Sequence, residues 1–353
     1  LGGCLQNLSD WLKDLPDDSF PNQDELANEL EGRMQECSNI LNDLDYLTNP
    51  EDENAVYWLE LPHRENSSDT RLFSAPLNVS EVLHEALYDN MNTIVFASAT
   101  LGIRGKLVYF LRRMGLDILP DDRVQSICLG SPFDYENQAL VCAPQFMPSP
   151  KSSEFQDAVD GIIKELALKV NRGTLGLFTS YSMLNRTYNA IKIDLQSESI
   201  TLLGQGVDGT RASITERFKT DRGSVLLGTD SFWEGVDIPG DALEILCIVR
   251  LPFAVPSEPL VAAHMEEIEK QGKNPFLHYS VPEAILKFRQ GFGRLIRNKS
   301  DRGIVIVLDS RVTSTQYGKA FLEALPVTHK SFRTPQDMIK TIQTWFKETE
   351  RVA

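Results

Sequence analysis

The residues best equipped for chemistry lie in QGFGRLIR, 290–297. A helix through this stretch, turning 100° per residue, puts Gln290, Arg294 and Arg297 within about 60° of one another. Ile285, Phe288, Phe292 and Leu295 then fall on the opposite, apolar side. Two guanidiniums and an amide on one face supply planar, multiple N–H donation, which is the equipment for holding a polyphosphate. Gly291 and Gly293 each cost about 1 kcal/mol relative to Ala inside a helix. Close approach of another backbone or of a ligand would explain that cost. The bland alternative is a surface helix with solvated arginines.

A second group, GTDSFWEGVDIPG (228–240), directly follows the apolar run SVLLG. Gly228, Thr229 and Ser231 can offer backbone and hydroxyl donors to phosphate oxygens. Glu234 and Asp237 flank Gly235 and could orient an arginine or accept from a ribose hydroxyl. General acid–base work by this acidic pair is disfavoured, because no nucleophile or metal ligand accompanies it. Trp233 reads equally as a core anchor or a base-stacking platform. FTSY (178–181) ends another apolar run with Thr179, Ser180 and an aromatic, suited to sugar–phosphate contact. Gln205 and Gly206 follow ITLLG, and SATL (98–101), with Ser98, Ala99 and Thr100, closes the run TIVFA. Taken alone, each of these last three is an ordinary turn or strand end.

The elements that must hold these groups are legible from residue 138 onward. ALVCA (139–143), TLGLFT (174–179), ITLLG (200–204), SVLLGT (224–229), LEILCIVRL (243–251) and GIVIVLD (303–309) are short and continuously apolar. Helical stretches alternate with them at 154–170, 181–195, 211–219, 258–271, 282–297, 314–324 and 335–349. Strands buried on both faces and alternating with helices specify an α/β fold with a parallel sheet flanked by helices. In such folds ligands sit beyond the carboxyl ends of the strands. Upstream, 22–47 reads as an acidic amphipathic helix, VYWLEL (56–61) and RLFSAPL (71–77) as a hairpin, and TIVFASATLG (93–102) as a buried strand. A soft boundary lies within 102–135, where glycines and prolines interrupt the pattern.

Composition narrows the choice. The five cysteines are scattered, with no paired short spacing, so neither a disulfide framework nor a zinc or iron–sulfur site is signalled. Reduced thiols and a cytoplasmic setting are expected, and no metal is expected to be held by these residues. No stretch approaches the roughly 20 apolar residues of a membrane span. The chain opens at Leu1 with no leader and reads as a piece of something larger. Its net charge of −15 argues at first against a nucleic-acid partner. Residues 1–60, however, hold fifteen Asp/Glu against Lys13 and Arg33, so that segment carries −13 and residues 61–353 only −2.

SATL, FTSY, GTDSFWEGVD and QGFGRLIR, in this order, resemble motifs III, IV, V and VI of superfamily 2 helicases. EGVDIPGDAL, LPFAVPSEPL and QGFGRLIRNKSDRGIVIVLDSR resemble the DinG branch, relatives of XPD. The resemblance implies two RecA-like domains that clamp ATP in their cleft and move 5′ to 3′ along single-stranded DNA. It divides the chain into the end of an arch-like helical insertion (1–51), returning strands of domain 1 with motif III (52–115), and RecA-like domain 2 (116–353).

By the same resemblance Arg294 and Arg297 act as arginine fingers, with Gln290 sensing the γ-phosphate. Glu234, Gly235 and Asp237 line the ATP site. Thr179, Ser180, Thr229, Ser231 and Gln205 grip DNA, and Ser98, Ala99 and Thr100 couple the two events. No GxxxxGK[ST] or DExH box occurs, since GIRGKL (102–107) is too short in spacing and lacks the final hydroxyl. The resemblance therefore assigns Mg²⁺ and most of the ATP contact to a domain 1 in cis. Family members with an iron–sulfur cluster hold its cysteines upstream, so these residues do not decide that point. The chain alone is expected to show no ATPase. The competing expectations are a non-catalytic RecA-like nucleic-acid-binding scaffold and a nucleotide-using metabolic enzyme; the latter predicts a GxGxxG turn after an early strand, and none of the early apolar runs is followed by one.

Overall fold

Each of the six apolar runs contributes a strand. In the computed structural model they are β3 (Ala139–Pro144), β4 (Thr174–Leu177), β5 (Leu202–Gly204), β6 (Val225–Gly228), β7 (Ile245–Ile248) and β8 (Gly303–Val307), every residue buried. The structure describes all residues except 1, 17, 18, 20, 63–68, 104, 234–237, 239–241 and 351–353. Upstream lie β1 (Ala55–Glu60) and β2 (Arg71–Pro76), and near the end β9 (His329–Phe332). The last seven strands form one parallel sheet in the order β5-β6-β4-β7-β8-β3-β9. The parallel α/β expectation holds.

β9 was not foreseen. Its sequence HKSF carries no apolar run, and three of its four residues are exposed. That is how an edge strand avoids pairing with other chains, and it removes the pattern by which inner strands are read.

Alternation along the strands divides the core into two layers. Val141, Leu175, Leu226, Leu246 and Val305 point to one face, where the helices Arg211–Thr220, Val281–Phe292 and Gln316–Glu323 pack. Leu140, Cys142, Leu227, Cys247 and Ile306 point to the other, against Phe155–Lys169, Tyr181–Ser197 and Pro335–Glu350. Each fully buried apolar side chain contributes about 1.5–3 kcal/mol. Intrinsic β propensity spans only about 1 kcal/mol. Packing on both faces is therefore what keeps strands of three or four residues in place.

The chain divides into two compact units, Leu1–Val79 with Pro256–His264 and Ser80–Val255 with Met265–Ala353. In the first, helix Gly2–Lys13 packs on helix Gln23–Thr48, burying Leu12 and Leu30. The expected hairpin is present, antiparallel from Ala55↔Pro76 to Glu60↔Arg71, with Trp58 stacked on Phe73 at 5.2 Å. In the second unit, TIVFASATLG departs from expectation. Residues 93–98 form no strand, and Val95 is 83% exposed. Its apolar, β-branched residues suit the middle of a sheet, but no described strand pairs with it.

Candidate functional site

The arginine stretch does not continue as one helix. Helix Val281–Phe292 stops five residues earlier than the spacing suggests, with Gly293 as its C-cap. Arg294 N then donates to Gly291 O at 3.1 Å and Leu295 N to Phe292 O at 3.0 Å, a tighter i→i−3 turn. Two glycines in three residues weaken the helix here. The Asp301 carboxylate then takes the next free amides, Arg297 N and Asn298 N, both at 2.8 Å. Gln290, Arg294 and Arg297 therefore do not share a single helix face. The apolar back is as expected, with Ile285, Phe288, Phe292 and Leu295 all buried.

Gly291 has a packing reason. A Cβ there would stand 2.9 Å from two ring carbons of Trp233. Trp233 is fully buried, and its Nε1 donates to Phe178 O at 3.4 Å, so it is a core anchor and not a stacking platform. Gly293 has no such neighbour, its nearest contacts being backbone oxygens at 3.5 Å. The half-buried Arg294 donates from Nε and Nη2 to the carbonyl of the same Trp233, each at 3.3 Å. Arg297 is also half-buried, and its turn enters the amino end of β8. The carboxyl-end expectation thus does not extend to Arg297. Glu234, Gly235 and Asp237 lie outside the described residues.

The hydroxyl groups do meet beyond the carboxyl ends of three neighbouring strands, β5, β6 and β4. Gln205, just past β5, links them. Its Nε2 donates to Tyr181 Oη at 2.6 Å and to Ser231 Oγ at 2.9 Å. Its Oε1 accepts from Thr229 N at 2.7 Å and from Thr229 Oγ1 at 3.1 Å. Thr229 is 4% exposed, so it holds the loop through Gln205, whereas Ser231, Thr179 and Ser180 remain half-exposed. Ser180 caps helix Tyr181–Ser197 by accepting from Met183 N at 3.4 Å. Tyr181 stands 51% exposed beside this group.

Ser98 and Thr100 bond to each other at 3.5 Å, and none of their bonds among the described residues reaches the Gln205 group. The segment instead meets the arginine helix, because Arg289 donates to the Gly102 carbonyl.

Two further polar groups at strand ends escaped the sequence reading. Asp309, fully buried just past β8, accepts from Leu251 N at 2.9 Å and pairs with Arg311 at 2.6 Å. Burial lowers the Arg311 pKa, but its bond to Asp309 outweighs that and leaves it above the ordinary value. Arg250, past β7, donates to Pro150 O at 2.7 Å and lies over Phe155 at 5.3 Å. Burial pushes its pKa down, and Asp309 opposes this. The signal available was position alone: each is a charged residue just past the carboxyl end of an apolar run. Among the described residues no three His, Cys, Asp or Glu side chains are grouped as a metal site.

Residues 163–328 match the family model described as the helicase C-terminal domain. Bacillus subtilis (strain 168) "3'-5' exonuclease DinG" is 36% identical over 318 residues, covering 89% of this chain and 34% of that protein. Haemophilus influenzae "ATP-dependent DNA helicase YoaA" is 36% identical over 288 residues, covering 81% and 42%. The chain carries the helicase C-terminal domain of the DinG type. Photobacterium profundum "ATP-dependent DNA helicase DinG", also 36% identical, aligns over 76% of this chain and 39% of its own length. The helicase C-terminal domain and its flanking residues thus span about a third to two-fifths of the curated relatives they match. The fold agrees with a solved structure titled XPD helicase, with a TM-score of 0.56 at 16% identity over 92% of this chain and 55% of that one. The expected resemblance to the DinG branch is borne out by these relatives, and the XPD structure shares the fold.

Proposed function

We propose that this helicase C-terminal domain is the second motor half of an ATP-dependent DNA helicase working 5′ to 3′ on single-stranded DNA. The observation that carries this reading is the single lock at Trp233. Its ring fixes Gly291, and its carbonyl fixes Arg294. Trp233 also continues the loop that holds Thr229 and Ser231. A shift of the strand-end hydroxyl group is thereby a shift of the arginine turn, which is what coupling of DNA grip to phosphate chemistry requires.

Arg294 and Arg297 would meet a γ-phosphate presented by a partner half bearing the phosphate loop and a Mg²⁺-holding acidic box, with Gln290 sensing its presence. A half-buried pair of guanidiniums suits a triphosphate, whose chemistry is an electrophilic phosphorus carrying charge that grows in the transition state. Glu234, Gly235 and Asp237 would line the same cleft. Ser231, Thr179 and Ser180 would donate to DNA phosphates, with Gln205 and Thr229 fixing their loop. Ser98, Ala99 and Thr100 would relay between the halves, through the Gly102 carbonyl that Arg289 holds.

Arg294→Ala in the longer polypeptide should lower DNA-stimulated ATP turnover on the order of 10³-fold while the fold persists. Unchanged turnover would remove the assigned role. The chain alone should hydrolyse no ATP, and stimulated turnover by the purified chain would refute the two-half reading.

A further inference from the structure

We propose that Gln138 and Asp301 are positioning residues for Arg297, clamping its turn from two sides. The proposal rests on the reading of Arg297 as a phosphate-contacting group. Gln138 is 5% exposed and immediately precedes β3. Its Nε2 donates to three carbonyls of one loop, Asn298 O at 3.0 Å, Lys299 O at 3.0 Å and Asp301 O at 2.8 Å. An amide nitrogen has only two N–H groups, so three acceptors share them and the carbonyls are drawn to one point.

Asp301, 7% exposed, works on the opposite groups of the same loop, taking Arg297 N and Asn298 N at 2.8 Å each. The loop's own backbone supplies only Asp301 N to Asn298 O at 3.2 Å among the described bonds. Five residues without regular structure are thus held by two buried side chains and not by a ladder. Ala139, next to Gln138, lies opposite Gly303 in the β3–β8 pair, so the clamp is seated on the sheet. A loop that only had to reach β8 would need neither buried group. Burying an amide and a carboxylate is costly unless both are fully used, and here both are used on the segment that begins at Arg297.

Gln138→Met, of similar volume but without donors, tests this in the longer polypeptide. The turnover number for ATP should fall at least tenfold, with KM for ATP within twofold, at a temperature where the variant stays folded. In an Arg297→Ala background the same substitution should cause no further loss, because two residues acting through one group are non-additive. Independent, multiplying losses would mean a merely structural role and overturn the proposal, as would turnover within twofold of the parent. If Arg297→Ala itself leaves turnover unchanged, the reading of Arg297 fails, and the clamp with it.

Asp301→Asn keeps one acceptor oxygen and is the second variant should Gln138→Met not fold; it should lose turnover less steeply. A readout without activity uses the present chain. Hydrogen exchange at the Arg297 and Asn298 amides should quicken at least tenfold in Gln138→Met while β8 amides hold their rates. Unchanged exchange at those two amides would overturn the clamp.

Discussion

Trp233 lies so close to the Cα of Gly291 that a methyl group added there would stand 2.9 Å from its Cε3 and Cζ3. The ring cannot retreat, being fully buried with Leu177, Phe288 and Phe292 in the same core layer. The carbonyl of the same residue accepts both bonds from Arg294. Sequence spacing made Gly291 look like room left for a ligand; the structure gives that room to an indole.

Gly291→Ala should therefore destabilise the fold. Overpacking costs about 1–3 kcal/mol, and the gain in helix propensity returns at most about 1 kcal/mol. Gly293→Ala is the contrast, since its φ of −62° suits any residue and its Cβ would meet nothing nearer than 3.5 Å. It should be neutral or slightly stabilising. Urea unfolding midpoints decide the matter, and equal midpoints for the two variants would contradict the packing account.

Gln205→Ala should weaken single-stranded DNA binding about tenfold, or roughly 1.4 kcal/mol, by releasing Thr229 and Ser231 from one another. Gln205 carries no charge, so the slope of log affinity against log salt should not change. Fluorescence anisotropy with a labelled oligonucleotide at several salt concentrations reads both. A flatter slope would place Gln205 within the ionic contacts instead.

Cys142 and Cys247 should resist a thiol reagent at pH 8 until the protein is unfolded, while Cys4 and Cys128, both exposed, react at once. Burial pushes the Cys247 thiol up to about 12 and the Cys142 thiol higher still. With folded values above the unfolded ones, near 8.5, their contribution is fully present below pH 8.5 and is lost as pH rises toward 12. Stability should accordingly fall less steeply between pH 9 and 10.5 in a Cys142→Ala, Cys247→Ala double variant. Equal slopes would show that the two thiols play no part.

Much of the sheet was legible because strands buried on both faces must be apolar throughout, as Leu226 and Leu227 on opposite faces show. What was not legible depended on neighbours. HKSF pairs as an edge strand through its backbone alone, so its side chains carry no pattern. The end of the arginine helix turns on Asp301, nine residues past Phe292, whose role is set by the backbone amides it meets. Gln205 was identified from its place after a strand, but its function as the link among Tyr181, Ser231 and Thr229 is a property of three strands together. Gln138 carried no sequence signal at all, because a lone amide before a strand is common and its acceptors lie 160 or more residues away.

The uncovered run at 93–97 has a practical bearing on anyone who purifies this polypeptide by itself. TIVFA has no charge and no proline, and among the described residues its amides and carbonyls make no backbone bonds. Such a strip is a template for strands from other molecules. Colloidal behaviour of the chain in dilute buffer would then be governed by these five residues, far more than by the well-packed sheet that holds the arginines.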